Sequence, residues 1–331
     1  MSVTAATGFV AAGTACGVKP DGGLDLALVT TDDGVAVPAA AVFTSNLMCA
    51  APVTVSRENL QSTAGRAAAV ILNSGNANAA TGEPGIEAAR AMCVAVAAEL
   101  GCDYRQVLVC STGLIGIALP VERITAAVPA LVAARSVDGS SAARAIMTTD
   151  TVPKEVTVDR GAFTVGGMAK GAAMLAPNMA TMLAVLTTDA AAESTELQEI
   201  LRTAVTTTFN ALTIDGCTST NDTVVLLASG RKGRQDLDLL AEAVHEACGE
   251  LATAMAADAE GATKTVRIKV TGAHSDAEAA RAARKVAESQ LCKCSWYGAD
   301  PYWGRIASEL GSAGVRFDQR LVSIAYGGIE V

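Results

Sequence analysis

Short apolar runs ending in small polar loops set the pattern of the first third of the chain. VAVPAAAVFT at 35 to 44 and PVTVSR at 52 to 57 are rich in β-formers, and RAAAVILN at 66 to 73 is nearly unbroken in its apolar character. The last of these predicts a strand buried on both faces. It runs into Asn73-Ser74-Gly75-Asn76-Ala77-Asn78, a small polar loop that can bring backbone close to a ligand. The spacing then predicts a helix over 85 to 100, opened by Pro84 and closed by Gly101. QVLVC at 106 to 110 repeats the design, a buried strand ending in Ser111-Thr112-Gly113. Two strand ends thus deliver small polar loops, a common way for α/β layers to build a site.

Helical patterns over 119 to 134 and 140 to 147 lead to Thr148-Thr149-Asp150-Thr151, and EVTVDRGAFTVGG alternates about Asp159-Arg160-Gly161 as a hairpin does. Met182 to Leu186 reads as a buried strand, preceded by a loop that Pro177 and Asn178 keep out of a helix. Beyond residue 190 the pattern predicts helix (195 to 209), strand (223 to 228), helix (237 to 255), strand (265 to 271) and helix (276 to 290). Thr195 with Gln198, and Ser275 with Glu278, are spaced as capping boxes, and Leu240, Val244, Ala247 and Leu251 form one apolar stripe. The expected organisation is a core domain at 1 to 204, a smaller α/β domain at 205 to 290, and a return to the core at 291 to 331. No internal repeat or low-complexity tract interrupts it.

Composition narrows the packing. Of 331 residues, 50% are hydrophobic but only 3% aromatic, so small aliphatic side chains must fill the interior between closely approaching layers. A net charge of -9, with no Lys/Arg cluster, opposes a nucleic-acid partner and favours small molecules. The first residues lack the basic and apolar regions of a secretory signal, and no stretch reaches membrane-spanning length without polar residues. Nine scattered cysteines read as reduced thiols used as small hydrophobes. The expectation is a cytoplasmic protein.

Elimination limits the chemistry. The two histidines, His245 beside an apolar helical stripe and His274 in a turn, read as surface residues and make a poor Ser-His-Asp or Cys-His hydrolase. Cys292-x-Cys294 has no second pair at zinc-ligand spacing, and no metal site is expected. Phosphate and dinucleotide loops are missing too. A hydroxyl nucleophile carrying its own base remains: an N-terminal threonine, whose α-amine titrates near pH 8 and reaches its own Oγ. It needs backbone cleavage, which neither composition nor periodicity shows. By local pattern alone, Thr181 is a β-former at the entry of a core strand.

KGAAMLAPNMATML at 170 to 183 resembles the signature of the glutamate N-acetyltransferase (ornithine acetyltransferase) family. The resemblance runs through the chain in GFVAAGTACGVK (8 to 19), AVFTSN (41 to 46), NSGNANAATG (73 to 82), STGLIG (111 to 116), MTTDT (147 to 151), TSTNDT (218 to 223), AEGATK (259 to 264) and DPYWGR (300 to 305). It implies an N-terminal-nucleophile-like sandwich of sheets and helices, self-cleaved between Ala180 and Thr181. It makes Thr181 the nucleophile and, through its freed amine, the base. Thr112 and Gly113 become the oxyanion donors. Thr148, Lys170, Thr181 and Glu260 become substrate-binding residues, with Lys170 suited to a carboxylate and Glu260 to an ammonium.

The implied reaction moves acetyl from N2-acetyl-L-ornithine to L-glutamate in arginine biosynthesis, with no cofactor and with acetyl-CoA open as a further donor. The implied partners are the α and β pieces of one precursor, assembled as a heterotetramer of two of each. Cys217 and Tyr302 stand where family members often carry an acidic residue and Asn. Members also usually continue past the strand equivalent to LVSIAYGGIEV, so this chain is expected to stop short of a tail that supplies an Asn and a Ser/Thr to the pocket. An N-terminal-nucleophile amidase or aminopeptidase, and an inactive truncated member, are the alternative readings.

Overall fold

The computed structural model describes residues 2–174 and 182–331. The chain divides into two compact units: residues up to Leu212 with Cys217–Glu260, and Thr213–Gly216 with Gly261–Val331.

The larger unit holds β1 (Phe9–Thr14), β2 (Leu26–Thr31), β3 (Val37–Phe43), α1 (Ala51–Ser62), β4 (Arg66–Ala67), β5 (Ala69–Asn76), α2 (Gly82–Leu100), β6 (Val107–Leu114), α3 (Val121–Ala133), α4 (Ser140–Ala145), β7 (Lys154–Asp159), β8 (Thr164–Lys170), β9 (Leu183–Thr188), α5 (Ser194–Thr207), β10 (Thr223–Ala228) and α6 (Leu237–Ala257). The strands form two sheets, ordered β1-β2-β5-β6 and β4-β3-β10-β9-β8-β7. Among the described strands, β5/β6 and β9/β10 pair in parallel and the rest antiparallel.

Strand periodicity explains the layering, because alternate side chains point to opposite faces. Ala27 and Val29, Val70 and Leu72, and Leu108 and Cys110 turn to a core shared with Ala39, Ala41, Met168, Leu183, Val185, Val225 and Leu227 of the second sheet. Their neighbours Leu26, Leu28, Ala69, Ile71, Val107 and Val109 turn outward, onto Met92, Cys93 and Val96 of α2 and Ile124, Val128 and Leu131 of α3. On the far side α5 packs against β3, and α6 against β7 and β8. The result is a four-layer sandwich, helices outside and sheets face to face, as the resemblance implies.

Several expectations are corrected. PVTVSR is not β structure but the first half of α1. Pro52 suits the first helical turn, and the helix meets the open edge of β6. Ser56 Oγ donates to Val109 O and accepts from Val109 N–H, both at 2.7 Å, while Asn59 Nδ2 donates to Val107 O at 2.9 Å. Those bonds close an otherwise unpaired strand edge. The α5 cap lies two residues upstream of Thr195: Glu193 and Glu196 make the reciprocal box. At α7 (Asp276–Glu288) Ser275 Oγ does accept from Glu278 N–H, at 3.2 Å.

The segment 205–290 does not stand apart as one unit. β10 lies between β3 and β9, and α6 covers the same sheet, so the larger unit extends to Glu260. Residues 265–271 carry no strand. The smaller unit consists of α7, α8 (Gln290–Tyr297) and α9 (Gly304–Gly311), with a short hairpin of β11 (Ala325–Tyr326) and β12 (Ile329–Glu330). Ala282, Val286 and Cys292 are its buried apolar residues among the helices. No described helix is long and apolar enough to cross a membrane.

Leu72 is fully enclosed between the sheets. Its truncation to Ala is expected to cost about 2–5 kcal/mol, seen as a lower urea midpoint at unchanged m-value.

Candidate active site

Two clusters, one from each sheet, meet at the start of β9. The first is the end of β6. Parallel register sets Thr112 beside Ser74 and Gly113 beside Gly75. Gly113 has φ +134°, and a Cβ there would lie 2.2 Å from the Gly75 carbonyl carbon, so only glycine fits. The strand runs on through Asn73-Ser74-Gly75-Asn76, where a loop is expected, and its terminal asparagines with Asn78 are bonded to neighbouring groups of the protein. Ser111 Oγ donates to Asn73 Oδ1 at 2.6 Å, Asn73 Nδ2 to Asn76 O at 2.8 Å, and Asn78 Nδ2 to Gly85 O at 2.8 Å. These bonds hold the Thr112 turn in shape.

The second cluster is ionic and buried. Asp150 Oδ2 accepts from Thr148 N–H at 3.0 Å, and Oδ1 accepts from Gly171 N–H at 2.7 Å and from Lys154 Nζ at 2.7 Å. Lys154 also donates to Asp258 at 2.6 Å, and Thr151 Oγ1 adds a short bond to the same carboxylate. Lys170 Nζ lies 3.9 Å from Asp150 Oδ2. Burial pushes Lys170 below the ordinary lysine range, partly offset by Asp150. Burial pushes Asp150 up, but Lys170, Lys154 and the two backbone donors outweigh it and hold the carboxyl below its usual range. Glu260, exposed, is tied in through its N–H to Ala172 O at 2.8 Å. The structure therefore gathers Thr148, Lys170 and Glu260 at the end of β8.

The TSTNDT segment joins the clusters. Asn221 Nδ2 donates to Ala77 O at 2.6 Å and Ser111 O at 2.9 Å, fixing the residue before Thr112. Asp222 Oδ1 accepts from Met182 N–H at 2.8 Å. Lys170 pairs with Leu183 across β8 and β9. Thr181 precedes Met182 in the chain; Ala180 and Thr181, the expected cleavage pair and nucleophile, lie outside the described residues.

Similarity to known proteins agrees with this geometry. The model of the ArgJ family matches residues 10–331. The chain belongs to the ArgJ family. It is 46% identical to the arginine biosynthesis bifunctional protein ArgJ of Streptomyces coelicolor, covering 100% of this chain and 86% of that one. To ArgJ of Mycobacterium leprae it is 49% identical, over 99% and 83%. Among solved structures, the ornithine acetyltransferase of Mycobacterium tuberculosis complexed with ornithine is 48% identical with a TM-score of 0.51, covering 53% of this chain and 94% of that one. That solved chain is therefore little more than half as long as this one.

Sequence reasoning missed four residues that position this ArgJ-family site: Asp150, Lys154, Asn221 and Asp222. Three sit in quoted motifs, MTTDT and TSTNDT, and Lys154 stands four residues beyond Asp150, but nothing local says that these groups are buried. Lys170 is buried, its side chain 3% exposed, although a lysine at the end of a hairpin strand is ordinarily a surface charge. His245 and His274 are exposed, and His245 shares a 3.0 Å hydrogen bond with Thr207 Oγ1. Among the described residues no group of His, Cys, Asp or Glu could hold a metal ion.

Lys154→Met leaves two carboxylates without their shared cation and is expected to cost about 3–5 kcal/mol in urea unfolding. Acid acts on the same cluster. Burial pushes Asp258 up, but Lys154 and Thr151 reverse this and hold it at about 2. A depressed folded pKa contributes stability that is present above the unfolded value near 4 and lost as pH falls towards 2. Thermal midpoints are expected to drop across that window in the wild type and to change less in Lys154→Met.

Proposed function

We propose that this chain is an acetyltransferase of arginine biosynthesis that carries acetyl from N2-acetyl-L-ornithine to L-glutamate through an ester on Thr181. The convergence at Met182 carries the reading: the Thr112-Gly113 turn of one sheet and the Lys170 cluster of the other are tied, through Asn221 and Asp222, to the residue after Thr181. Family membership and the ornithine complex of a 48% identical relative support the same substrate class.

The chemistry runs in two halves. Thr181 Oγ attacks the acetyl carbonyl while its own α-amine takes the hydroxyl proton. The Thr112 hydroxyl and Gly113 N–H donate to the oxyanion that develops. Collapse breaks the C–N bond, the α-ammonium returns the proton to the leaving nitrogen, and ornithine departs. The α-amine of glutamate then attacks the ester, and the reverse proton path releases N-acetylglutamate and the free hydroxyl. Lys170, buried and only loosely paired, supplies a cation for a substrate carboxylate, and Glu260 an anion for an ammonium.

Cleavage before Thr181 supplies the amine. The short length of the solved relative's chain is what a piece of a cleaved precursor would show. The pieces stay together because β8 and β9, on either side of the cut, are neighbours in one sheet. We extend the proposal to an assembly of two α and two β pieces, to acetyl-CoA as a second acetyl donor without a resident cofactor, and to a cytoplasmic location. The word "bifunctional" in the relatives' names supports the second donor, and nine free thiols fit a reducing compartment.

Intact-mass measurement of wild type is expected to show two fragments divided before Thr181, and Thr181→Ala a single inactive chain. Acetylornithine should turn over with glutamate and not with water alone; hydrolysis without glutamate would sink the transferase reading. Thr112→Ala is expected to lower kcat roughly 10²–10³-fold with cleaved protein still folded.

A further inference from the structure

The GFVAAGTACGVK motif ends in Lys19, a lysine that the acetyl-transfer steps above do not use. It lies in the loop between β1 and β2, and the loop is built to hold it. Asp25, with no exposed surface, accepts from Cys16 N–H at 2.6 Å, Val18 N–H at 2.7 Å and Lys19 N–H at 2.9 Å. Asp25 O in turn accepts from Ser74 N–H at 2.9 Å, which clamps the loop to the end of β5.

The clamp sets Lys19 at the edge of the site. A Cβ on Gly75 would lie 3.1 Å from Lys19 Cγ and 3.6 Å from its backbone nitrogen, and Gly75 is the register partner of Gly113. Ser74, the residue before Gly75, is bonded to Ala145 O on the approach to Asp150. The Lys19 ammonium is half-buried, donates to Leu24 O at 2.7 Å, and forms no ion pair among the described residues. An ammonium carries three donors, so donors remain for an incoming anion. Burial pushes Lys19 below the ordinary lysine range, opposed by the charges of Asp25, Asp21 and Asp150. Asp150 is also the carboxylate that faces Lys154 and Lys170.

The two substrates set a demand that Lys170 and Glu260 leave unmet. Both carry an α-carboxylate, but their far ends are opposite in charge: ornithine ends in an ammonium and glutamate in a second carboxylate. Lys170 answers the shared carboxylate and Glu260 the ornithine ammonium. In the same pocket the side-chain carboxylate of glutamate meets the like charge of Glu260 and needs a cation of its own. Lys154 is taken by Asp150 and Asp258, at 2.7 and 2.6 Å. Lys19 is the further lysine within the influence of Asp150.

We propose that Lys19 is the specificity residue for the acceptor: its ammonium, held by the β1–β2 loop at the Gly75 edge, pairs with the side-chain carboxylate of glutamate. The inference rests on the reading of the chain as an acetylornithine-to-glutamate transferase. No bond to Lys19 forms or breaks, and it keeps its protons throughout. It acts in the second half of the reaction, because acetylornithine, whose side chain carries no carboxylate, gains nothing from a cation there. A long flexible stem and a compact charge suit this task, and the Leu24 carbonyl holds the ammonium between turnovers.

The test separates the two halves. In a reaction through an acetyl ester, kcat/KM for acetylornithine reports formation of the ester and kcat/KM for glutamate its consumption. Wild type is assayed first, and absence of transfer to glutamate sinks the transferase reading and this inference with it. Where transfer is present, Lys19→Met is expected to lower kcat/KM for glutamate roughly tenfold or more and to leave kcat/KM for acetylornithine within about twofold. Its preference for L-glutamate over L-glutamine as acceptor should shrink by a similar factor. A loss shared equally by both substrates makes Lys19 a mere support of its loop and overturns the assignment.

Should Lys19→Met fail to fold, acceptor choice in the wild type decides. Glutamine has the shape of glutamate without the charge, so a preference for glutamate of about tenfold or more is expected. Equal use of the two acceptors would refute the pairing.

Discussion

Asp150 is the group on which the site's geometry hangs. A carboxylate with no exposed side-chain surface is tolerable only if its lone pairs are taken, and here they are, by Thr148 N–H, Gly171 N–H and Lys154, with Lys170 close by. Each partner belongs to a different part of the site. Thr148 lies in the loop after α4, Gly171 follows β8, and Lys154 begins β7 and reaches on to Asp258 at the end of α6. Two carboxylates face two ammonium groups, so the cluster is close to neutral. The pairing is nonetheless unequal. Lys154 has contacts at 2.6 and 2.7 Å, whereas Lys170 has one at 3.9 Å, which leaves Lys170 as the cation with capacity for an incoming anion.

At the site end of the sheets one constraint is a carboxamide. Asn221 stands at the head of β10 in the second sheet and donates both Nδ2 hydrogens to carbonyls that belong to the β5 and β6 ends of the first. The core between the sheets is apolar, and such packing is dense but slides more easily than a hydrogen bond. A polar pin at this point fixes Ser111, and with it Thr112, relative to Asp222 and Met182. The role proposed for Thr112 and Gly113 as oxyanion donors requires such accuracy, because the worth of such donors depends on sub-ångström placement.

What could be read from the sequence was whatever depends on neighbours in sequence. The unbroken apolar runs at β5, β6, β9 and β10 and the alternation of β7 and β8 announce buried strands and a hairpin, and all six are present. PVTVSR misleads because β-propensity is a weak prior, overridden by the need of β6 for a partner at its edge. KTVRIKV alternates as a strand would, yet alternation gives no hydrogen bonds by itself, and residues 265–271 join no sheet. Thr112, Gly113, Thr148, Lys170 and Glu260 were legible only through resemblance to a family. Their mutual placement comes from residues far apart in the chain, as in the bonds from Lys154 to Asp258 and from Met182 to Asp222.

The shortage of aromatic residues, which first looks like a limit on the core, is what lets the pieces of the site come together. α4 enters the inter-sheet core through Ala142, Ala143 and Ala145, side chains small enough to bring a helix backbone against a strand. At Gly13 of β1 a Cβ would sit 2.1 Å from Ser141 O, so the approach requires glycine. Ser74 Oγ, from the strand that backs Gly113, then donates to Ala145 O at 2.6 Å, tying the end of the helix to the Thr112-Gly113 end of β6. Thr148 and Asp150 follow within five residues of that carbonyl. A bulkier core would hold α4 farther from β1 and move the Asp150 cluster away from Thr112. The close packing of small residues therefore sets the distance between the two halves of the site, and composition enters the chemistry by that route.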